Sequence, residues 1–148
     1  MGRWDDLEGS APQLAAFGAR RLAALPAYLA TVRVNGAPRV HPVTPIIAGG
    51  GLFLFMEPTS PKGRDLRERG WYALHSGVPD SLGTGGEFSV CGRGALTDDA
   101  GARAAAAMAA GYEPPERYVL FELSVLEARC TGYGDVVLPE PGRWREAD

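Results

Sequence analysis

Apolar and polar residues change period several times along this chain, and each change marks an element. From Leu7 to Leu25 the run is Ala-rich, with Leu14, Phe17, Arg21 and Leu25 at helical spacings. This predicts an amphipathic N-terminal helix stopped before Pro26, filling residues 1–25. Tyr28 to Val34 reads as a strand, Asn35-Gly36 as a hairpin turn, and Pro38 to Ile47 as the returning strand. Gly49-Gly50-Gly51 makes another tight connection into the dense apolar strand Leu52 to Met56. The first half therefore opens as three consecutive antiparallel strands.

The pattern then turns helical. Ser60 suits an N-cap, Pro61 the first helical position, and Gly70 a left-handed stop. Trp71 to Val78 is strand-like, Asp80 to Gly86 is a Gly-rich loop, and Glu87 to Leu96 is a strand interrupted by Gly92 and Gly94. Asp98 or Asp99 caps a second Ala-rich helix through Ala110, closed by Gly111. Arg117 to Cys130 predicts a long last strand, and residues 131–148 an extended tail. Six strands with short helices at their connections give a mainly β (α+β) class: a small antiparallel barrel with helical caps, in one domain spanning residues 1–148. The hairpin signals disfavour a doubly wound parallel sheet.

Charge and composition narrow the function. A net charge of −3 offers no general attraction to nucleic acid or anionic membranes. With no apolar stretch long enough to span a bilayer, an acidic polar start and two widely spaced cysteines, Cys91 and Cys130, the expectation is a cytoplasmic protein with free thiols. Of the 15 basic residues only Lys62 is a lysine, which is either a candidate site needing a compact ammonium rather than a guanidinium or one leftover surface lysine.

Two segments could carry chemistry. Pro42 and Pro45 interrupt a strand, so part of its edge is unpaired and is either a protected border or a place for a ligand against the backbone. Arg39, His41, Val43 and Pro45 alternate onto one face; Val40, Pro42, Thr44 and Ile46 take the other. In Thr59-Ser60-Pro61-Lys62, two hydroxyls, a helix N-terminus and the only lysine fall together, the chemistry of either a phosphate seat or an ordinary capped helix. No Walker motif, GxGxxG, HExxH, GxSxG or cysteine cluster is present, so no metal ligand set is expected. With only His41 and His75 as histidines, acid–base machinery is sparse, and a protein whose bound cofactor does the chemistry fits best.

The order Leu29-Ala30-Thr31-Val32, Asn35-Gly36, Pro38-Arg39-Val40-His41-Pro42-Val43, Leu52 to Met56, Ser60-Pro61-Lys62-Gly63-Arg64-Asp65-Leu66 and Tyr72-Ala73-Leu74-His75 closely resembles the pyridoxamine 5'-phosphate oxidase-like superfamily of flavin-binding split barrels. The likeness runs from about Tyr28 to Leu96 and more loosely to Cys130. It implies a six-stranded split β-barrel that forms a homodimer, with one FMN in each of two clefts between subunits. Hydride would then pass through the flavin to or from a small-molecule substrate, as in a flavin-dependent oxidoreductase.

By position, His41 falls where family oxidases place an arginine on the ribityl phosphate. Pro42, Val43 and Thr44 would line the flavin ring with backbone groups, and Phe55 and Met56 would touch it. Ser60 and Lys62 match the phosphate-binding Ser-Arg-Lys, Glu87 a glutamine reaching FMN from the other subunit, and Trp144 a late tryptophan near the ring. His75 stands as a weak candidate proton donor against an ordinary strand histidine. Pro61 and His41 replace two expected arginines, leaving Arg39 or Arg64 to compensate. No histidine follows His75, which argues against oxidation of pyridoxamine 5'-phosphate itself. The same cleft suits the deazaflavin coenzyme F-420, and some relatives hold haem, so a non-catalytic flavin or haem binder is the alternative. A barrel without cofactor, acting as a dimeric scaffold, is a third.

Overall fold

The computed structural model describes residues 1–147. Two helices open the chain, α1 (Trp4–Ser10) and α2 (Pro12–Ala24). The single N-terminal helix expected from the pattern is thus broken at Ala11: Pro12 has no N–H to continue α1, but suits the first turn of α2. Then follow β1 (Ala27–Val32), β2 (Pro38–Val43), β3 (Ile46–Ala48), β4 (Gly51–Met56), α3 (Pro61–Glu68), β5 (Trp71–His75), β6 (Glu87–Thr97), α4 (Ala100–Ala109), β7 (Val119–Leu123), β8 (Glu127–Thr131) and β9 (Arg143–Arg145).

All nine strands belong to one antiparallel sheet, in place of the six expected. Two expected strands are each broken in two, and the tail adds β9. The segment from Pro38 bends at Thr44-Pro45, so β2 pairs with β1 while β3 pairs with β4. The opening strands are therefore not a simple three-strand meander. The run expected from Arg117 to Cys130 breaks at Ser124–Leu126. There the Ser124 carbonyl crosses so close over Gly92 that a Cβ would collide with it. β6 consequently pairs first with β8 and then with β7 along the same edge.

The main path runs β2-β1-β5-β6-β7-β4-β3. Its two end strands, β2 and β3, are consecutive in the chain and separated only by Thr44 and Pro45. The sheet therefore curls back on itself into an open barrel whose seam is that kink. Proline at 42 and 45 removes two amide donors that a regular strand would place there.

β4 is buried throughout and feeds two clusters by alternation. Leu52, Leu54 and Met56 join Leu29, Leu74, Phe88, Val90 and Phe121 in the barrel interior, roofed by Trp4, Leu7, Leu14 and Phe17 of α1 and α2. Phe53 and Phe55 turn the other way, against Ala106 and Ala110 at the α4 side. α2 lies tightly on the sheet because Gly18 leaves room for the Phe88 ring, whose atoms stand 2.5–2.8 Å from where a Cβ would be.

Candidate functional site

α3 begins one short loop after β4. The Ser60 hydroxyl accepts the Gly63 N–H at 3.2 Å, and the Ser60 carbonyl accepts the Arg64 N–H at 3.0 Å. Pro61 has no N–H, so the amide of Lys62 is the free donor of this first turn among the described residues. The Lys62 ammonium is half-buried and has no ion-pair partner among the described residues. Burial pushes its pKa below the usual lysine value. A partly desolvated cation beside a free amide and the positive end of a helix is a site an anion would stabilise.

One turn further on, Asp65 is buried at 4% exposure and ties α3 to the barrel edge. Its Oδ2 accepts Thr31 Oγ1 at 2.7 Å and Arg39 Nε at 2.8 Å, and its Oδ1 accepts Arg69 Nη2 at 3.1 Å. Burial alone would raise the Asp65 pKa, but the Thr31 hydroxyl and the Arg39 and Arg69 guanidinium groups together hold it below the usual carboxylate range. Thr31, Asp65 and Arg69 were not legible as site residues. The available signal was the i, i+3 spacing of Lys62 and Asp65, which puts both on one helical face.

On β2, Arg39, His41 and Val43 lie opposite Thr31, Leu29 and Ala27, whereas Val40 and Pro42 share the outer face with Ala30 and Tyr28. His41 is exposed, with Nδ1 2.8 Å from the Pro42 carbonyl. Thr44 and Pro45 help line a cavity of about 360 Å³ with Leu22, Leu25, Pro26 and Ala109, and no charged side chain lines it. Met56 reaches beneath the start of α3, its Sδ 3.1 Å from where a Gly63 Cβ would stand. Ser60, Lys62 and Met56 thus meet at one corner, and Asp65 links that corner to β2, which bears His41, Pro42 and Val43.

The remaining candidates lie elsewhere. Phe55 packs toward α4, with the Arg103 guanidinium 5.1 Å from its ring centroid. His75 sits on the outer face, Nδ1 2.6 Å from the Ser76 carbonyl and Nε2 3.6 Å from Glu87 Oε1. Glu87 also accepts a hydrogen bond from the Tyr133 hydroxyl, whose pKa it raises. Within one chain, Glu87 stands at the end of β6 away from Gly94, which Leu66 of α3 covers, seven residues and roughly 23 Å of extended strand apart. Trp144, opposite Ala128, packs against the barrel interior from β9. A further cavity, of about 810 Å³, runs along the far end of α3, but Arg67, Arg69 and Arg93 in its wall are already bonded to the carbonyls of Pro58, Val32 and Arg69. Among the described residues no three His, Cys, Asp or Glu side chains gather as a metal site, and no helix is long and apolar enough to cross a membrane.

No protein-family model and no curated protein matches the chain. Solved structures do. A haem-binding protein from Mycobacterium smegmatis aligns with TM-score 0.64 and 23% identity, over 80% of this chain and 55% of that one. The chain thus spans about half of that protein's length. A conserved hypothetical protein from Mycobacterium tuberculosis aligns with TM-score 0.68 and 15% identity, over 80% and 83% of the two chains. PhzG from Burkholderia lata, solved with tetrahydrophenazine-1-carboxylic acid, gives TM-score 0.57 and 18% identity, over 79% and 74%. At these identities the likeness is one of fold, the curled antiparallel split barrel.

Proposed function

We propose that this chain is an FMN-binding oxidoreductase acting on a small molecule, with the cofactor phosphate at the α3 N-terminus. The observation that carries the reading is Lys62: the only lysine, half-buried, free of a carboxylate partner among the described residues, and beside the unbonded amide of its own helix. Ser60 fixes the turn that presents this pair. The backbone of Pro42, Val43 and Thr44, at a seam where proline has removed amide donors, offers a flat border for a ring. No charged side chain lines the cavity behind Thr44. Bound FMN would supply hydride transfer, and this chain's part is to bind it, orient it and keep water off one face. The deazaflavin coenzyme presents the same phosphorylated ribityl chain and suits the same residues.

A second copy of the chain completes the arrangement. The outer face of β1, β2 and β5 exposes Tyr28, Val40 and Trp71 (49%, 68% and 45%), an apolar surface suited to burial in a homodimer. Glu87, His75 and Trp144 would then have to meet the cofactor from the other subunit or serve structure alone. A reducing cytoplasmic setting suits the two free cysteines.

One observation favours haem as a second reading. The His41 Nδ1 contact with the Pro42 carbonyl leaves Nε2 free, the arrangement of a metal-ligating imidazole, and the structurally similar Mycobacterium smegmatis protein is described as haem-binding.

Absorption spectra of the purified protein, titrated separately with FMN, the deazaflavin coenzyme and haemin, test these readings. A perturbed flavin band at one molecule per subunit, lost in Lys62→Ala, is the expected result. FMN bound at native affinity by Lys62→Ala would put the phosphate elsewhere. A haem band sensitive to His41→Ala would establish the alternative.

A further inference from the structure

Arg21, in the last turn of α2, is half-buried, and no carboxylate among the described residues pairs with it. Its Nε is sealed from solvent with no hydrogen-bond partner, alone in this among the side-chain nitrogens and oxygens of the described residues. Folded chains rarely leave a buried donor unmade, because nothing replaces the water it gave up. The helix dipole favours a cation in the last turn of α2, but it does not bond the guanidinium nitrogens.

The loop Asp80 to Gly86 lies over this side chain. Gly85 adopts φ +86°, and a Cβ there would stand 2.6 Å from Arg21 Nη1 and 3.4 Å from Nη2. Gly86, at φ +81°, comes as close to Phe17, one helical turn earlier, whose Cζ is 3.0 Å from where a Cβ would be. Two successive glycines thus let the loop rest directly on the guanidinium. Gly85 is also part of the wall of a cavity of about 510 Å³, with Leu82, Thr84, Tyr133, Asp135 and Val136. Leu82 and Tyr133, 75% and 58% exposed, continue into a neighbouring cavity of about 460 Å³ beside Val78. Arg21 therefore stands at the Gly85 edge of an apolar-walled cleft, at the Glu87 end of β6 and away from α3.

The acids around the cleft narrow what it could hold. Asp80 is engaged within the loop, accepting the Leu82 N–H at 3.0 Å, the Thr84 N–H at 3.2 Å and the Thr84 hydroxyl at 2.6 Å. Glu87 accepts from the Tyr133 hydroxyl, and Asp135 adds a third carboxylate. Three carboxylates repel a polyanion, whereas one guanidinium balances a single negative charge. With Nε sealed, Nη1 and Nη2 are the donors left, and two such donors match the two oxygens of a carboxylate.

We propose that this cleft binds a small apolar monocarboxylic acid, its carboxylate on the Nη atoms of Arg21 and its apolar body against Leu82 and Tyr133. The site is separate from the Lys62 corner and does not rest on the flavin reading.

Isothermal titration calorimetry with 1-naphthoate and its neutral counterpart 1-naphthamide tests this on wild type, Arg21→Gln, Leu82→Ala and Lys62→Ala, with circular dichroism as the check on folding. Wild type should bind one naphthoate per chain, at least about tenfold tighter than the amide, as a charge-assisted contact predicts. In Arg21→Gln that preference should fall to within about twofold. Leu82→Ala should weaken both probes by a similar factor, and Lys62→Ala should bind both as wild type does. If Arg21→Gln does not fold, Arg21→Met, which keeps the packing of the stem, is read in its place. No naphthoate binding by wild type, an acid preference that survives loss of Arg21, or affinities untouched by Leu82→Ala would each overturn the proposal. So would naphthoate binding lost in Lys62→Ala alone, which would put the acid at the α3 corner and leave the flavin reading standing.

Discussion

Replacing Asp65 by asparagine removes one negative charge at nearly constant volume. Breaking a buried ion pair by deleting one partner typically costs about 3–5 kcal/mol, because the other charge is left stranded. Here the cost should be smaller. Arg39 and Arg69 are 28% and 23% exposed and can turn toward water. The asparagine carbonyl can still accept from Thr31. What remains is the loss of charge-assisted bonds, and we expect about 2–3 kcal/mol of destabilisation at pH 7.

The pH dependence supplies a second signature. The native Asp65 pKa lies below its unfolded value, so its contribution is fully present above the unfolded pKa of about 3.9 and is lost as pH falls through the native value. Urea unfolding of wild type and Asp65→Asn, followed by tryptophan fluorescence between pH 7 and 3, should show a constant gap from pH 7 to 5 that narrows below pH 4. A gap under about 0.5 kcal/mol at pH 7, or one that does not narrow, would refute the clamp described here.

Three further outcomes are expected. Gly18→Ala should destabilise by about 1–3 kcal/mol in urea melts, since overpacking against Phe88 outweighs the gain of about 1 kcal/mol in helix propensity; a stabilised variant would mean that α2 does not sit this close to the sheet. Ser60→Ala should cost about 1 kcal/mol through loss of the cap on Gly63, with unfolding curves of unchanged slope. Thiol titration of the denatured, unreduced protein should count two free thiols, Cys91 and Cys130.

The elements legible in the sequence were those with local punctuation. Ser60, Pro61 and Gly70 bracket α3 by chemistry internal to the segment, and Gly70 adopts φ +82° as a left-handed stop requires. Asp99 likewise caps α4, accepting the Ala102 N–H at 2.7 Å. What the pattern hid were breaks imposed by distant contacts. Apolar residues continue past Pro45, so nothing local says that Ile46 changes partner from β1 to β4. The break at Ser124 is set by Gly92, more than thirty residues away, and a glycine inside a strand was its one visible trace. At the site, Lys62 stood out by rarity. Asp65 did not, because its importance comes from Thr31 and Arg39, which reach it only after the sheet has curled.

On the proposed reading, the seam at Thr44-Pro45 couples ligand occupancy to unfolding. The two residues are the sole covalent step between the opposite ends of the sheet, so opening the barrel there separates β2 and the Arg39 contact from β3 and β4 at once. A ligand held, as proposed, on the Pro42 to Thr44 backbone and on Lys62 would bind only the closed form, and at a hundredfold excess over its dissociation constant it would add about 2.7 kcal/mol to the free energy of unfolding. The melting temperature of this chain is therefore itself a binding assay, and a thermal-shift screen of phosphorylated ring compounds can find the ligand before any reaction is known.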